Sequence, residues 1–259
     1  TNTQRSGQAN YELGVLKSPL KYGFPSSALQ PDTAFRLRTN DARVLSGVRI
    51  GTQLHYFQNC LNFKTMQAHI MHGSIYNITS PSGATLHHTY WNQGGAVTKA
   101  HLFRNDSLDF GYPAVAAAGE ATTSELSAQD PSMIVTSVYS GAKHFPGTGA
   151  FFINRYGEYS DYQILKKGQS IINYTFIKPK EQRWGDYEGI QAKFNEKGIY
   201  YLVGSWGKGN SMSAYVARVK IKDTVADNPI STMRVFPAPP PKTSTSNFKS
   251  IRKRRSSDK

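Results

Sequence analysis

One cysteine, Cys60, stands alone among 259 residues, so no intrachain disulfide can form. It lies in an apolar run with Leu54, Tyr56, Phe57 and Leu61, the setting of a buried small hydrophobe rather than a reactive thiol. No run of about 18 apolar residues occurs, which excludes a membrane-spanning helix. Apolar residues at helical spacing over three or four turns are also missing. The one Ala-rich piece, Ala114 to Ala118, is bounded by Pro113 and Gly119. Neither usual Gly-rich phosphate loop is present, and no cofactor is expected. His69 with His72, and His87 with His88, lack a third ligand at metal spacing; adjacent strand residues also face opposite ways, so no metal is expected. Asp106, Asp109, Asp161 and Asp186 do not fall in a loop with calcium-ligand spacing.

Acidic residues are scarce as well: 17 Asp and Glu against 31 Lys and Arg give a net charge of +14. The excess divides unevenly. Lys242 to Lys259 holds seven basic residues and one acid, a net +6, which leaves +8 on the other 241 residues. Basic residues spread over so long a body read as a solvated surface, and specific nucleic-acid binding is not expected of it. The run Arg252-Lys253-Arg254-Arg255 has the charge to touch an anionic surface, but its Ser-, Lys- and Arg-rich setting cannot bury a core and reads as a disordered basic tail.

What the chain does have is aromatic residues, 15 Tyr and 13 Phe, many beside β-branched neighbours, and this favours strands. Alternating or apolar runs are expected as strands at 40–50, 53–57, 68–79 and 85–91. A second set falls at 109–118, 132–140, 150–154 and 162–165, with 143–149 as a loop. A third set runs through 183–191, 199–206 and 213–221. Gly111, Gly147 and Gly149 read as turn residues. Superimposing the three sets aligns Val44, Val115 and Ile190, separated by 71 and 75 residues. Self-similarity of this kind predicts an all-β fold and a partial β-propeller of about three blade-like repeats of antiparallel strands. The blades span residues 35–222. A loose N-terminal segment, 1–34, with a strand at Leu13 to Leu16, precedes them, and a linker and basic tail, 223–259, follow. Three units are too few to close a ring, and the first residue is Thr1, so the remaining blades of a longer parent chain are an expected partner. An open sandwich of two sheets is the structural alternative.

The stretch Arg183-Trp184-Gly185-Asp186-Tyr187-Glu188-Gly189-Ile190-Gln191 concentrates the candidate chemistry. Read as a strand, it points Asp186 and Glu188 to one face, and paired carboxylates are what glycoside hydrolysis needs. Tyr187 is the third catalytic candidate and Arg183 suits a ligand carboxylate. The competing reading is structural: Trp184 packs between blades, Gly185 allows close approach and Asp186 accepts bonds from the backbone amides of a neighbouring loop. The ligand-binding candidates are Arg183, Trp184, Asp186, Tyr187, Tyr112 and Phe145, and no catalytic residue is assigned outright.

Together with Asp109-Phe110-Gly111-Tyr112-Pro113-Ala114, His144-Phe145-Pro146-Gly147-Thr148-Gly149-Ala150 and Gly204-Ser205-Trp206-Gly207, this stretch resembles secreted β-propeller proteins of Bacteroidota with sialidase-like architecture, over roughly residues 35–221. Met233-Arg234-Val235-Phe236-Pro237 resembles the opening of the type IX secretion sorting domain that ends many of them, although Ala238-Pro239-Pro240-Pro241 then departs from that pattern. The resemblance implies a secreted or cell-surface bacterial protein that binds a glycan or a surface protein without catalysis. Its alternative is a sialidase-like glycoside hydrolase whose further catalytic residues lie in blades outside this chain. The repeated Ser-x-Asp-x-Gly-x-x-Trp turn of sialidase-like proteins does not occur here.

Overall fold

The structure is a computed structural model, which describes residues 22–76, 85–90, 108–119, 130–174, 176–178, 180–186, 188–221 and 234–237. These residues form fifteen strands and no helix, so the fold is all-β. Three four-stranded antiparallel meanders follow one another along the chain. The first is β2 (Val44–Ile50), β3 (Gln53–Leu61), β4 (Ala68–Tyr76) and β5 (Thr85–Tyr90). The second is β6 (Leu108–Ala117), β7 (Met133–Gly141), β8 (His144–Ile153) and β9 (Gln163–Lys166). The third is β12 (Gly189–Ala192), β13 (Ile199–Lys208), β14 (Ser211–Lys220) and β15 (Arg234–Pro237). A small sheet sets β1 (Arg36–Leu37) parallel to β11 (Glu181–Gln182), with β10 (Phe176–Lys178) antiparallel on the other side of β11. Among the described residues there is therefore no helix to cross a membrane.

Side-chain alternation explains how the sheets stack. On β7, Met133 and Val135 enter the cluster that holds Phe57 and Ile70 of the first meander. Ile134 between them enters the cluster that holds Leu202 and Val219 of the third. Phe151 and Phe152 on β8 divide the same way. Period-2 side chains thus bury the second meander on both faces, and all nine residues of β7 are buried. The third meander buries only the face turned to the second; on its other face Tyr201, Val203 and Val216 are 36–41% exposed.

Several boundaries differ from the sequence reading. His144 to Gly149 is strand rather than loop, because Gly147 and Gly149 serve close packing instead of turning the chain. A Cβ on Gly147 would collide with the Tyr139 ring, and one on Gly149 would reach 2.5 Å from both the Gln163 carbonyl oxygen and the Tyr162 ring. Gly111 likewise lies inside β6. Arg183 to Asp186, and Glu188, are not in a strand. Gly185 takes φ +69°, the left-handed region, and Asp186 sits in a turn, so regular pairing begins only at Gly189. The expected strand at Leu13 to Leu16 lies outside the described residues.

Residues 22–34 are pinned to the sheets. Gly23 bridges Leu61, Ala28 bridges Leu37, and the buried Asp109 carboxylate accepts the amides of both Leu29 and Ala68 at 2.9 Å. Desolvation raises the Asp109 pKa despite those two bonds. At the other end, Arg234–Pro237 pairs with β14 as the last strand of the third meander, so that sheet reaches beyond residue 222.

Candidate functional site

The first strands of the three meanders converge. The Ser46 hydroxyl of β2 accepts the Val115 amide of β6 at 3.1 Å, and β12 lies against β6 on the other side. Between them is a cavity of about 290 Å³ lined by Leu45 and Ser46 of β2, Pro113, Ala114 and Val115 of β6, and Gly189 and Ile190 of β12. Tyr112, Gly185, Asp186 and Glu188 complete its wall. A second cavity of about 330 Å³ adjoins it across Tyr112 and Asp186, and its remaining wall is Arg38, Asn40, Arg43 and Arg183.

The turn that carries Arg183 and Asp186 is held by its own indole. Trp184 is fully buried among Ala28, Leu37, Tyr112, Val138 and Ile172, and its Nε1 donates to the Arg38 carbonyl at 2.8 Å. The Tyr112 hydroxyl donates to the same carbonyl at 3.0 Å. Two donors thus fix the backbone of Arg38 while its exposed guanidinium stands at the second cavity. Tyr112 itself adopts φ +52°, which a bulky residue takes only where its surroundings compel it. A Cβ on Gly185 would reach 2.5 Å from the Tyr112 ring, so the turn and the tyrosine require each other. Burial, followed by the Asp186 charge, raises the Tyr112 pKa, which keeps the hydroxyl a donor.

The charges at the mouth are partly matched. Arg183 Nε pairs with Asp186 Oδ2, at the turn's own i,i+3 spacing, with 60% of the arginine side chain exposed. Arg43 binds both oxygens of Asp41 through Nε and Nη2, and that arginine is the first cause of the lowered Asp41 pKa. Three guanidinium groups, two of them paired with carboxylates, leave this cavity cationic.

Asp186 and Glu188 do not present a common face. Asp186 stands at the mouth, whereas both Glu188 oxygens are sealed from solvent. The Ser205 hydroxyl and amide approach them without completing a hydrogen bond, and the charge also bears on the buried Tyr162. Burial raises the Glu188 pKa well above the ordinary carboxyl range. The turn at Asp186 breaks the strand geometry that would have aligned the two acids. Asp186, expected in the structural reading to accept backbone amides, pairs with Arg183 instead; Asp109 does the amide-accepting.

Of the other candidates, Arg183 and Tyr112 line the paired cavities, and Trp184 supports them from inside with no surface to offer a ligand. Phe145 is on β8, 37% exposed, and lines neither cavity. Tyr187 lies outside the described residues. Cys60 is buried, its thiol pushed up to about 12 by desolvation. Among the described residues no group of three His, Cys, Asp or Glu is placed to hold a metal ion.

Arg38, Asn40 and Arg43 were not singled out by the sequence. Their one signal is the density of Arg36, Arg38 and Arg43 around Asn40-Asp41, about 140 residues from Arg183, and nothing local links the two stretches. Comparison with protein-family models, with curated proteins and with solved structures finds no match for this chain.

Proposed function

We propose that the three meanders are blades of a β-propeller and that the chain is a noncatalytic recognition module of a secreted or cell-surface bacterial protein, taking an acidic glycan at the paired cavities. The observation that carries this reading is the convergence of three first strands on one cleft with Arg38, Arg43 and Arg183 at its mouth. Inner strands that share a cleft are what a propeller's axis requires. Each cavity is near the lower end of the range of about 300–1,000 Å³ for ligand sites, and the two join into subsites of unlike character. One has an apolar wall suited to a sugar face; the other offers planar guanidinium donors suited to a carboxylate or sulfate.

The sialidase-like hydrolase is the weaker alternative. The sealed carboxyl of Glu188 speaks against a carboxylate pair acting on one glycosidic bond. The test is a glycan array run beside a panel of fluorogenic glycosides, with Arg38→Ala/Arg183→Ala as the control. Binding of acidic glycans, lost in the double variant and without turnover, supports the module. Turnover abolished by Asp186→Asn would replace it with the enzyme. An array without hits, beside capture of a purified surface protein, would move the ligand class from glycan to protein.

A further inference from the structure

The hairpin turn between β3 and β4, Asn62 to Gln67, presents apolar side chains to solvent. Phe63 and Met66 are 60% and 61% exposed, and Phe24, from the segment laid along β3, is 78% exposed. Lys64 and Thr65, between the first two, are exposed as well. Single exposed hydrophobes are ordinary; three large ones at one turn mark a surface that meets something apolar.

The turn is held in one shape. The Gly23 carbonyl accepts the Leu61 amide at 3.0 Å, the Phe63 ring would lie 3.0 Å from a Cβ on Gly23, and the Ser26 hydroxyl donates to the Met66 carbonyl at 3.0 Å. Phe24 thus sits in a strap that clasps the turn on both sides of it. Within the turn the Met66 amide donates to the Asn62 carbonyl at 2.7 Å, the Asn62 amide to the Gln67 carbonyl at 2.9 Å and the Lys64 amide to Asn62 Oδ1 at 2.9 Å. Met66 takes φ +59°, in the left-handed region. Glycine or asparagine would occupy that position with less strain, so folding alone does not favour a methionine there. The strain goes with an apolar side chain held outward.

The charge nearby is of one sign. No Asp or Glu occurs between Asp41 and Asp106, a span that contains the whole first meander with Arg49 and Lys64. Of the acids that bond to the strap, Glu181 accepts the Ser27 hydroxyl at 2.7 Å and Asp109 is buried. A convex apolar turn carrying a lysine suits the boundary between headgroups and acyl chains of an anionic membrane. Phenyl and thioether groups enter the apolar layer while the ammonium stays with the phosphates. Amides already bonded inside the turn lose no partner there. A sugar would need hydrogen-bonding groups that Phe24, Phe63 and Met66 lack.

We infer that the β3–β4 turn docks the protein on an anionic lipid surface, with Phe63 and Met66 inserted, Phe24 beside them and Lys64 at the level of the phosphates. Insertion of so few side chains gives reversible attachment. The paired cavities are lined by other residues, so this inference stands or falls apart from the glycan reading.

The test is cosedimentation of the full chain with vesicles of phosphatidylcholine and phosphatidylglycerol, and with vesicles of phosphatidylcholine alone. The wild type should bind the mixed vesicles more tightly, and Phe63→Ser/Met66→Ser should bind them at least about tenfold more weakly. The basic run Arg252 to Arg255 is the same in both proteins, so the difference reports the turn. Phe63→Trp supplies a readout that does not depend on the double variant folding: on mixed vesicles its emission should shift to the blue and be quenched by acyl-brominated lipid beyond the quenching seen in wild type. Equal binding by wild type and double variant, or no binding by either, overturns the inference, and equal binding to neutral vesicles overturns the anionic assignment. Bound Phe63→Trp protein without the added quenching also overturns it, and would leave these side chains to a groove on a partner protein.

Discussion

The second meander packs against a neighbour on each face, and the two seams differ in the polar groups they enclose. Toward the first meander it meets the buried His72 and His55, and desolvation lowers the His55 pKa to about 4. Toward the third it meets Glu188, an acid that burial disfavours as an anion, beside a Thr148 hydroxyl that donates to the Ser205 carbonyl at 2.7 Å. Both seams have apolar cores of similar make, drawn from alternate residues of the same two strands. What distinguishes them is the direction in which each fails with pH.

The largest expected effect belongs to neither seam. Trp184→Ala removes a fully buried indole from the cluster that ties residues 22–38 to the second meander, and it frees the Arg38 carbonyl of one donor. A loss of about 3–5 kcal/mol in urea unfolding is expected, equal at pH 5 and pH 8. A pH-dependent loss would show that this cluster is coupled to one of the seams.

Acid should break the histidine seam next. The folded pKa of His55, about 4, lies below its ordinary 6.5, so the unfolded chain binds the proton more readily. Stability is complete above pH 6.5 and falls as pH drops toward 4, by up to about 3 kcal/mol at pH 4. Urea midpoints across that range should follow this slope in the wild type and flatten in His55→Gln.

The carboxylate seam should respond in the opposite sense and more weakly. Glu188 is raised on folding, so its contribution is complete below the ordinary carboxyl pKa and is lost as pH climbs through the raised value. Glu188→Gln should therefore stabilise the protein at pH 8, on the order of 1 kcal/mol, and change little at pH 4. A destabilised Glu188→Gln at pH 8 would mean that the ionised carboxylate has a partner in solution. The smallest effect is expected at the mouth: Arg183→Ala breaks an exposed pair and should shift stability by less than about 0.5 kcal/mol, while the proposed acidic-glycan binding should fall steeply.

The sequence was most informative where a strand alternates in isolation. Ser132–Ser140 and Ser213–Ile221 are strands to within two residues, because period-2 apolarity needs no knowledge of the rest of the chain. It misled where a residue answers to a distant neighbour. Gly147 and Gly149 look like turn formers until Tyr139 and Tyr162 are seen lying over them. Arg183 and Asp186 come together through local spacing and were named. Arg38 and Arg43 arrive from a loop whose position depends on Trp184, and no window of sequence contains that contact. Glu188 was assigned to the wrong side because a single left-handed glycine, Gly185, changes the direction of the chain before it.

The full burial of β7 also bears on how the chain finds its pairing. Most strands are held in register by having one face that must avoid water, and a slip of one residue exposes the wrong face. Both faces of β7 meet apolar neighbours, so a slipped β7 would still be greasy on each side, and hydrophobicity alone scarcely distinguishes the two alignments. The discrimination is steric. Tyr139 stands opposite Gly147, and one place over it would meet the buried side chain of Pro146 or Thr148 instead of a glycine. Tyr139 over Gly147 and Tyr162 over Gly149 thus act as ratchet teeth for the central sheet: Gly147→Ala, whose Cβ would stand 2.4 Å from the Lys166 carbonyl oxygen, makes the native alignment itself shallower and so narrows its lead over the nearest competitor.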